Sequence, residues 1–158
     1  MALDRIDREI LRALQLKGRL SVVELAKQVN LTNSPCADRV KRLEKEGIIK
    51  GYHAELDPEK LGLDVQVFIH IRLDQSSFSV FEKFASAVDL MPEIEECYSL
   101  SGDFDTMIKI RVKDMKAYRT FMSSKLGTLP GVIQTRSEVV IEEHKKSFGI
   151  NPDQLTNL

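Results

Sequence analysis

The sequence predicts an α+β chain in two parts: a small all-helical first third, then a longer part that alternates strands and helices. Three observations carry this. Apolar residues recur at helical spacing from Leu3 to Leu43. From Val65 onward they alternate at period two, in runs separated by helical stretches. Charge is also split. Residues 1–52 hold 11 Lys+Arg against 7 Asp+Glu, and the remainder holds 12 against 17. A basic part that meets an anion is thus joined to a part that does not.

The elements of the first third follow in order. Leu3, Ile6, Ile10, Leu11 and Leu14 share one face of a helix over about 4–16, ended by Lys17-Gly18. Ser21-Val22-Val23-Glu24 is a capping box, in which Ser21 and Glu24 each satisfy the other's backbone N–H. It starts a short helix with Val22, Leu25, Ala26 and Val29 inward. Asn30 to Asn33 form a tight turn, and Ser34-Pro35 opens the next helix. The Ser34 hydroxyl accepts from free N–H groups, and proline suits a first turn whose N–H groups are unpaired in any case. Gly47 closes the helix, because glycine adopts the left-handed cap without strain.

At 100° per residue Cys36, Val40 and Leu43 fall within about 60° of one another, with Ala37 alongside. That is the buried stripe. Asp38, Lys41, Arg42 and Lys45 fall opposite, and Arg39 lies on the flank. In isolation such a helix reads as a solvated charged face. A short helix, a tight turn and a second helix with a basic front instead form a helix-turn-helix. Its second helix enters the DNA major groove with its N-terminal residues at the bases. Arg39, Lys41 and Arg42 are the candidate contacts, with Asn33, Ser34, Pro35 and Asp38 beside them. For Arg39 a base contact and a structural salt bridge both stay open. Asp38 precedes Arg42 by four and is placed to orient it. Ser34 serves as cap, phosphate contact or both. Cys36 is a packed small residue.

Ile48 to Leu56 reads as a strand, and Leu56 to Leu63 as a loop or single helical turn. Gly51 and Tyr52 either fold back as a wing or lead out as a hinge. The expected division is 1–52 for the helix-turn-helix, 53–63 for a linker, 64–146 for the second part and 147–158 for a tail. That tail, with Asn151-Pro152-Asp153, has no clear periodicity. It reads as loose or as packed on a neighbour.

In the second part Val65, Val67, Ile69, Ile71 and Leu73 alternate with Gln66, Phe68, His70 and Arg72 in a strand. A helix buries Phe81, Phe84, Ala85, Val88 and Met91 and stops at Pro92. Ile94 to Leu100 is a strand, Ser101-Gly102-Asp103 a turn, and Phe104 to Val112 a third strand. Asp114 caps a helix that buries Met115, Tyr118, Met122 and Leu126. Val132 to Glu142 is the last strand. The two halves echo each other: Ile69-His70-Ile71-Arg72-Leu73 matches Ile108-Lys109-Ile110-Arg111-Val112. This βαββαβ order predicts a ferredoxin-like unit, an antiparallel four-stranded sheet with both helices on one face. The open face, with Phe68, His70, Tyr98 and Val140, suits burial against a second copy.

At 158 residues with 42% hydrophobic and 30% charged residues, the chain can bury a core without disulfides. Cys36 and Cys97 lack metal-ligand spacing, which suits a reducing compartment. His53, His70 and His144 have no ligand-spaced partners, so no metal is expected. Charges interrupt the N-terminus, and no apolar run reaches membrane-spanning length. Nucleophile elbow, phosphate-loop and dinucleotide motifs are lacking, so no catalytic residues and no cofactor are expected. Asp103 and Asp105 flank Phe104 and admit three readings. They are a general acid/base pair, a β-turn that uses Asp for its own backbone, or acceptors for a ligand's ammonium.

The motif Ser34-Pro35-Cys36-x-x-Arg39-Val40-x-Arg42-Leu43-Glu44-x-x-Gly47-Ile48-Ile49, followed by βαββαβ with Ser101-Gly102-Asp103-Phe104-Asp105 between the central strands, resembles the Lrp/AsnC family of bacterial and archaeal regulators. The resemblance runs from about Leu3 to Glu143. It implies a winged-helix-like DNA-binding domain and a C-terminal domain called RAM that binds an amino-acid effector. It implies dimers of this chain, assembled further into rings that are often octamers. Effector sites lie between dimers near the turn, here Ser101, Gly102, Asp103, Phe104, Asp105 and Thr106, with Pro130 and Gly131 nearby. One departure is Thr32-Asn33, where many relatives carry Ser-Pro. The expected protein is a non-enzymatic, nucleoid-associated cytoplasmic regulator of amino-acid metabolism. Its partners are double-stranded DNA, an amino acid and itself, and no membrane. The alternative is an enzyme on the same scaffold, since certain haem-biosynthesis decarboxylases resemble this family. It would need a catalytic basic group, for which His70 is the sheet's candidate.

Overall fold

The computed structural model describes residues 3–74, 78–146 and 149–152. The chain forms two compact units, one of Met1–Leu56 with Lys145–Leu158 and one of Asp57–His144.

In the first unit α1 (Arg5–Leu16), α2 (Val22–Gln28) and α3 (Asn33–Lys45) enclose Ile10, Leu25, Ala26, Val29, Cys36 and Leu43. Each start is fixed locally. At α1 the Asp7 N–H donates to Asp4 Oδ1 at 2.8 Å, and the Asp4 N–H donates to Asp7 Oδ2 at 3.2 Å. At α2 the expected capping box forms, with the Ser21 N–H donating to Glu24 Oε2 at 2.8 Å. Val22, expected inward, is exposed, because the first turn of so short a helix projects past the core.

The helix-turn-helix turn is set by Asn30, which takes φ 55°. Asparagine tolerates this left-handed conformation, and the Leu31 N–H then reaches the Ala26 carbonyl at 2.9 Å. The next helix begins one residue earlier than the sequence suggests. Thr32 occupies the cap position without a side-chain hydrogen bond, and Asn33 is the first helical residue. Ser34 therefore lies inside the first turn and is not the cap. Gly47, at φ 71°, ends α3 as expected, and the Ile48 N–H donates to the Leu43 carbonyl at 3.0 Å.

The expected strand over Ile48–Leu56 does not form. Apolar alternation assigns faces, but a strand also needs a neighbouring backbone, and none is supplied here. Instead Tyr52 turns back to α3, where its hydroxyl donates to Glu44 Oε1 at 2.9 Å. Burial and the Glu44 carboxylate push its phenol up to about 12.

The second unit holds β1 (Val65–Leu73), α4 (Phe78–Val88), β2 (Ile94–Ser99), β3 (Thr106–Val112), α5 (Met115–Ser124) and β4 (Val132–Val139). The strands lie in the order β2-β3-β1-β4, all neighbours antiparallel. The echoing strands β1 and β3 are adjacent at the centre, with Ile69 opposite Ile108. Their apolar faces pack with Phe84 and Val88 of α4 and with Phe121 of α5 in one core. The ferredoxin-like expectation therefore holds. Two helix faces differ in detail. Ala85 is exposed and Ala87 packs instead. Met115 is exposed and Phe121 takes the central place. Asp114 caps α5 by accepting from the Ala117 N–H at 2.7 Å, which leaves Met115 in the projecting first turn.

The strand alternation places Phe68 and His70 on the open face. Tyr98 faces Met107 across the β2–β3 register, and Met107 in turn faces His70. Between them runs a charged lattice. Lys109 Nζ lies 2.9 Å from Glu96 and 3.2 Å from Glu95, and Arg111 Nε lies 2.7 Å from Glu95.

Candidate DNA interface and effector turn

Three parallel stripes on α3 sort its residues by environment. Ser34, Asp38, Lys41 and Lys45, at i, i+4, i+7 and i+11, are all exposed. Cys36 and Leu43 lie on the opposite stripe at 0% exposure, with Val40 packed against them. Pro35, Arg39 and Arg42 form the stripe between. Pro35 and Asn33 are exposed, while Arg39 and Arg42 are half-buried. Of the candidate DNA contacts, Asn33, Ser34, Pro35, Asp38 and Lys41 thus stand free of the core.

The two arginines are engaged elsewhere. Arg39 Nη1 donates to Asp4 Oδ2 at 2.6 Å and to Asp7 Oδ1 at 2.8 Å. Arg42 Nη2 lies 2.6 Å from the same Asp7 oxygen, an ion pair short of an aligned hydrogen bond. Asp7 is 1% exposed. Hydrogen bonds from the Asp7 N–H and the Arg39 guanidinium hold the Asp4 carboxyl below its usual range. The carboxylate that holds Arg42 is accordingly Asp7, not Asp38. Sequence reasoning missed Asp4 and Asp7. Asp4 is the N-cap of α1 and Asp7 lies in its first turn, and a capping box accounts for both, so nothing local signalled the arginines.

In the second unit the Gly102–Asp105 turn is wired to β1. The Asp105 N–H donates to the Ile71 carbonyl at 3.0 Å, and the Leu73 N–H donates to Asp105 Oδ2 at 2.8 Å. Arg72 donates through Nε and Nη2 to the Asp103 carbonyl at 2.9 and 2.7 Å. The Asp105 carboxylate therefore serves the backbone of β1 rather than that of its own turn, while the Asp103 side chain is exposed. Ser101 and Gly102 are exposed, and a Cβ on Gly102 would meet nothing within 4 Å. Phe104 lies against two guanidinium groups, Arg72 at 5.5 Å and Arg136 at 5.2 Å from its ring centre, with the His70 ring at 5.7 Å. Arg72 and Arg136 were missed at the sequence level: Arg72 lies on β1 beside β3, and Arg136 lies on the far strand β4, where only the β1–β4 register that sets it opposite His70 brings it toward Phe104. Thr106 is buried on the core face. Gly131 packs so closely on α4 that a Cβ would fall 2.1 Å from Val80 Cγ1. It shapes the β4 approach with half-buried Pro130. Cavities of about 180 and 430 Å³ in this unit are lined by other residues.

A helix-turn-helix with an exposed polar front, joined to a ferredoxin-like unit with an open turn, defines a DNA-binding regulator with a ligand-binding domain. Residues 3–50 match the model of a winged helix-turn-helix DNA-binding domain, and residues 66–150 match that of the Lrp/AsnC ligand binding domain. The chain belongs to the Lrp/AsnC family of transcription regulators. It is 52% identical over 145 residues to the leucine-responsive regulatory protein of Klebsiella pneumoniae, covering 92% of this chain and 88% of that one. The Escherichia coli K12 relative of the same name is 51% identical with the same coverage. Among solved structures, a transcriptional regulator of Neisseria meningitidis in complex with L-Met matches with a TM-score of 0.91. It is 36% identical and covers 94% of this chain and 96% of its own. An AsnC family regulator of Agrobacterium tumefaciens matches with a TM-score of 0.92 at 34% identity, covering 98% and 100%. These relatives are named regulators, so the enzyme reading falls away. Among the described residues no helix is long and apolar enough to cross a membrane, and no cluster suits a metal ion.

Proposed function

We propose that α3 reads double-stranded DNA through its exposed stripe and first turn. The supporting observation is that Ser34, Asp38, Lys41 and Lys45 form one solvent-facing row directly opposite the core. Asn33 and Pro35 complete the N-terminal turn that meets the bases. We propose further that a free amino acid at Gly102–Asp105 modulates this binding, in homodimers that assemble into octamers in the bacterial cytoplasm, on the nucleoid. Within that turn the Asp103 carboxylate suits the effector's ammonium, and the open backbone at Gly102 suits its carboxylate. The turn lies on the surface of the second unit, as a site completed by another dimer requires. The open sheet face, with Phe68, His70 and Tyr98, supports pairing of two copies. Two copies place two recognition helices in successive major grooves.

Calorimetric titration of the full chain with a panel of amino acids tests the effector. Heat and a shift in duplex affinity are expected with at least one of them. Asp103→Asn is expected to weaken that binding by about 10- to 100-fold, the worth of a hydrogen bond to a charged group. No heat and no thermal shift with any amino acid would overturn the effector reading.

A further inference from the structure

We propose that Asp7 is a positioning residue for DNA recognition, holding the Arg39 and Arg42 guanidinium groups of α3 in one orientation. The proposal rests on α3 being the DNA-reading helix. Asp7 is itself immobile. Its backbone and Oδ2 are locked with Asp4 in the α1 capping box, and its side chain is 2% exposed. The remaining oxygen, Oδ1, receives both arginines, Arg39 at 2.8 Å and Arg42 at 2.6 Å. Asp4 Oδ2 takes Arg39 as well.

The two arginines converge on one oxygen, and both keep part of the side chain in solvent: 27% for Arg39 and 37% for Arg42. Nε and Nη2 of Arg42 are buried toward Asp7, so its exposure belongs to the rest of the group. Both arginines lie one stripe from Ser34, Asp38, Lys41 and Lys45. Two consequences follow from charge and geometry. The Asp4–Asp7–Arg39–Arg42 cluster sums to zero, and Glu44 lies off the exposed row, so the positive charge of that row comes from Lys41 and Lys45 against Asp38. The arginines, unable to swing to any passing phosphate, reward only a duplex that meets them where Asp7 holds them. Asp7 thereby raises the preference for one sequence over random DNA.

The test compares the unmodified full chain with Asp7→Asn, which keeps the shape and the capping acceptor but removes the charge. Two duplexes are used: one enriched by the unmodified protein from a random-sequence pool, and poly(dI-dC). The ratio of the two affinities is expected to fall at least about fivefold, the lower bound for one directed arginine contact. Affinity for poly(dI-dC) is expected to hold or rise, with a salt slope steeper by about 0.9 per added phosphate contact. A purely structural brace would lower thermal stability and leave the ratio unchanged, and that result overturns the proposal. If Asp7→Asn does not fold, Arg42→Lys decides, since it keeps the charge but loses the planar fork that Asp7 holds. A reduced ratio then supports the proposal and an unchanged one overturns it. Absence of any duplex preference in the unmodified protein would overturn the reading of α3 itself, a result distinct from a failure confined to the Asp7 comparison.

Discussion

Leu43→Ala is expected to abolish duplex binding while leaving the second unit folded. Leu43 lies on α3 at 0% exposure, in a core that holds six buried hydrophobic side chains among the described residues. Its carbonyl also accepts the Ile48 and Ile49 N–H groups that end the helix, at 3.0 and 3.1 Å. Truncating a fully buried leucine costs about 2–5 kcal/mol through lost transfer energy and the cavity left behind. A unit with so few buried residues has little reserve, since whole domains are stable by only about 5–15 kcal/mol. Amide hydrogen exchange checks this. Protection is expected to collapse across α1, α2 and α3 and to persist in β1 and β3. Duplex binding at unchanged affinity would show that the stripe does not depend on this core.

Gly131→Ala is expected to destabilise the second unit by about 2–4 kcal/mol, from left-handed backbone strain and overpacking together. Gly131 has φ 76°, a conformation that alanine adopts only under strain. The added methyl would also sit 2.1 Å from Val80 Cγ1, so α4 or β4 must shift. The Gly131 carbonyl accepts the Asp74 N–H at 2.7 Å, which couples the shift to the end of β1. Denaturant unfolding of the second unit measures the loss. Any accompanying loss of amino-acid binding would follow from misplaced β4 rather than from a lost ligand contact. A change below about 0.5 kcal/mol, the range of neutral surface substitutions, would contradict the packing argument.

The periodicities carried most of the fold. Alternation at 65–73 and apolar spacing at 104–112 foretold two strands, the second of which starts two residues later than expected, at Thr106, and the order of elements pointed to the ferredoxin-like sheet in which they pair. The Ser21–Glu24 box and Gly47 fixed two helix ends, because capping is local chemistry. Where partners decide, the sequence was less informative. The 48–56 segment has strand-like alternation but no neighbouring backbone. Phe121 and Met115 exchanged roles because Asp114 sets the phase of α5. At the candidate DNA interface the exposure of Asp38, Lys41 and Lys45 was legible from helical angles, but Arg42, expected on the same front, is half-buried. The engagement of Arg39 and Arg42 was not legible, because it depends on Asp4 and Asp7, more than thirty positions away in the chain. At the turn, Asp105 and Asp103 look equivalent in sequence. Only the approach of the Leu73 N–H separates the structural carboxylate from the open one.

Duplex affinity of the full chain as a function of salt, measured with and without Lys41→Gln and Lys45→Gln, tests whether α3 is the helix that meets DNA. Affinity is expected to fall steeply and log-linearly with salt, with a slope shallower by about 1 for each phosphate contact removed. Affinity insensitive to salt, or a slope that neither substitution alters, would contradict the assignment of α3 as the DNA-reading helix.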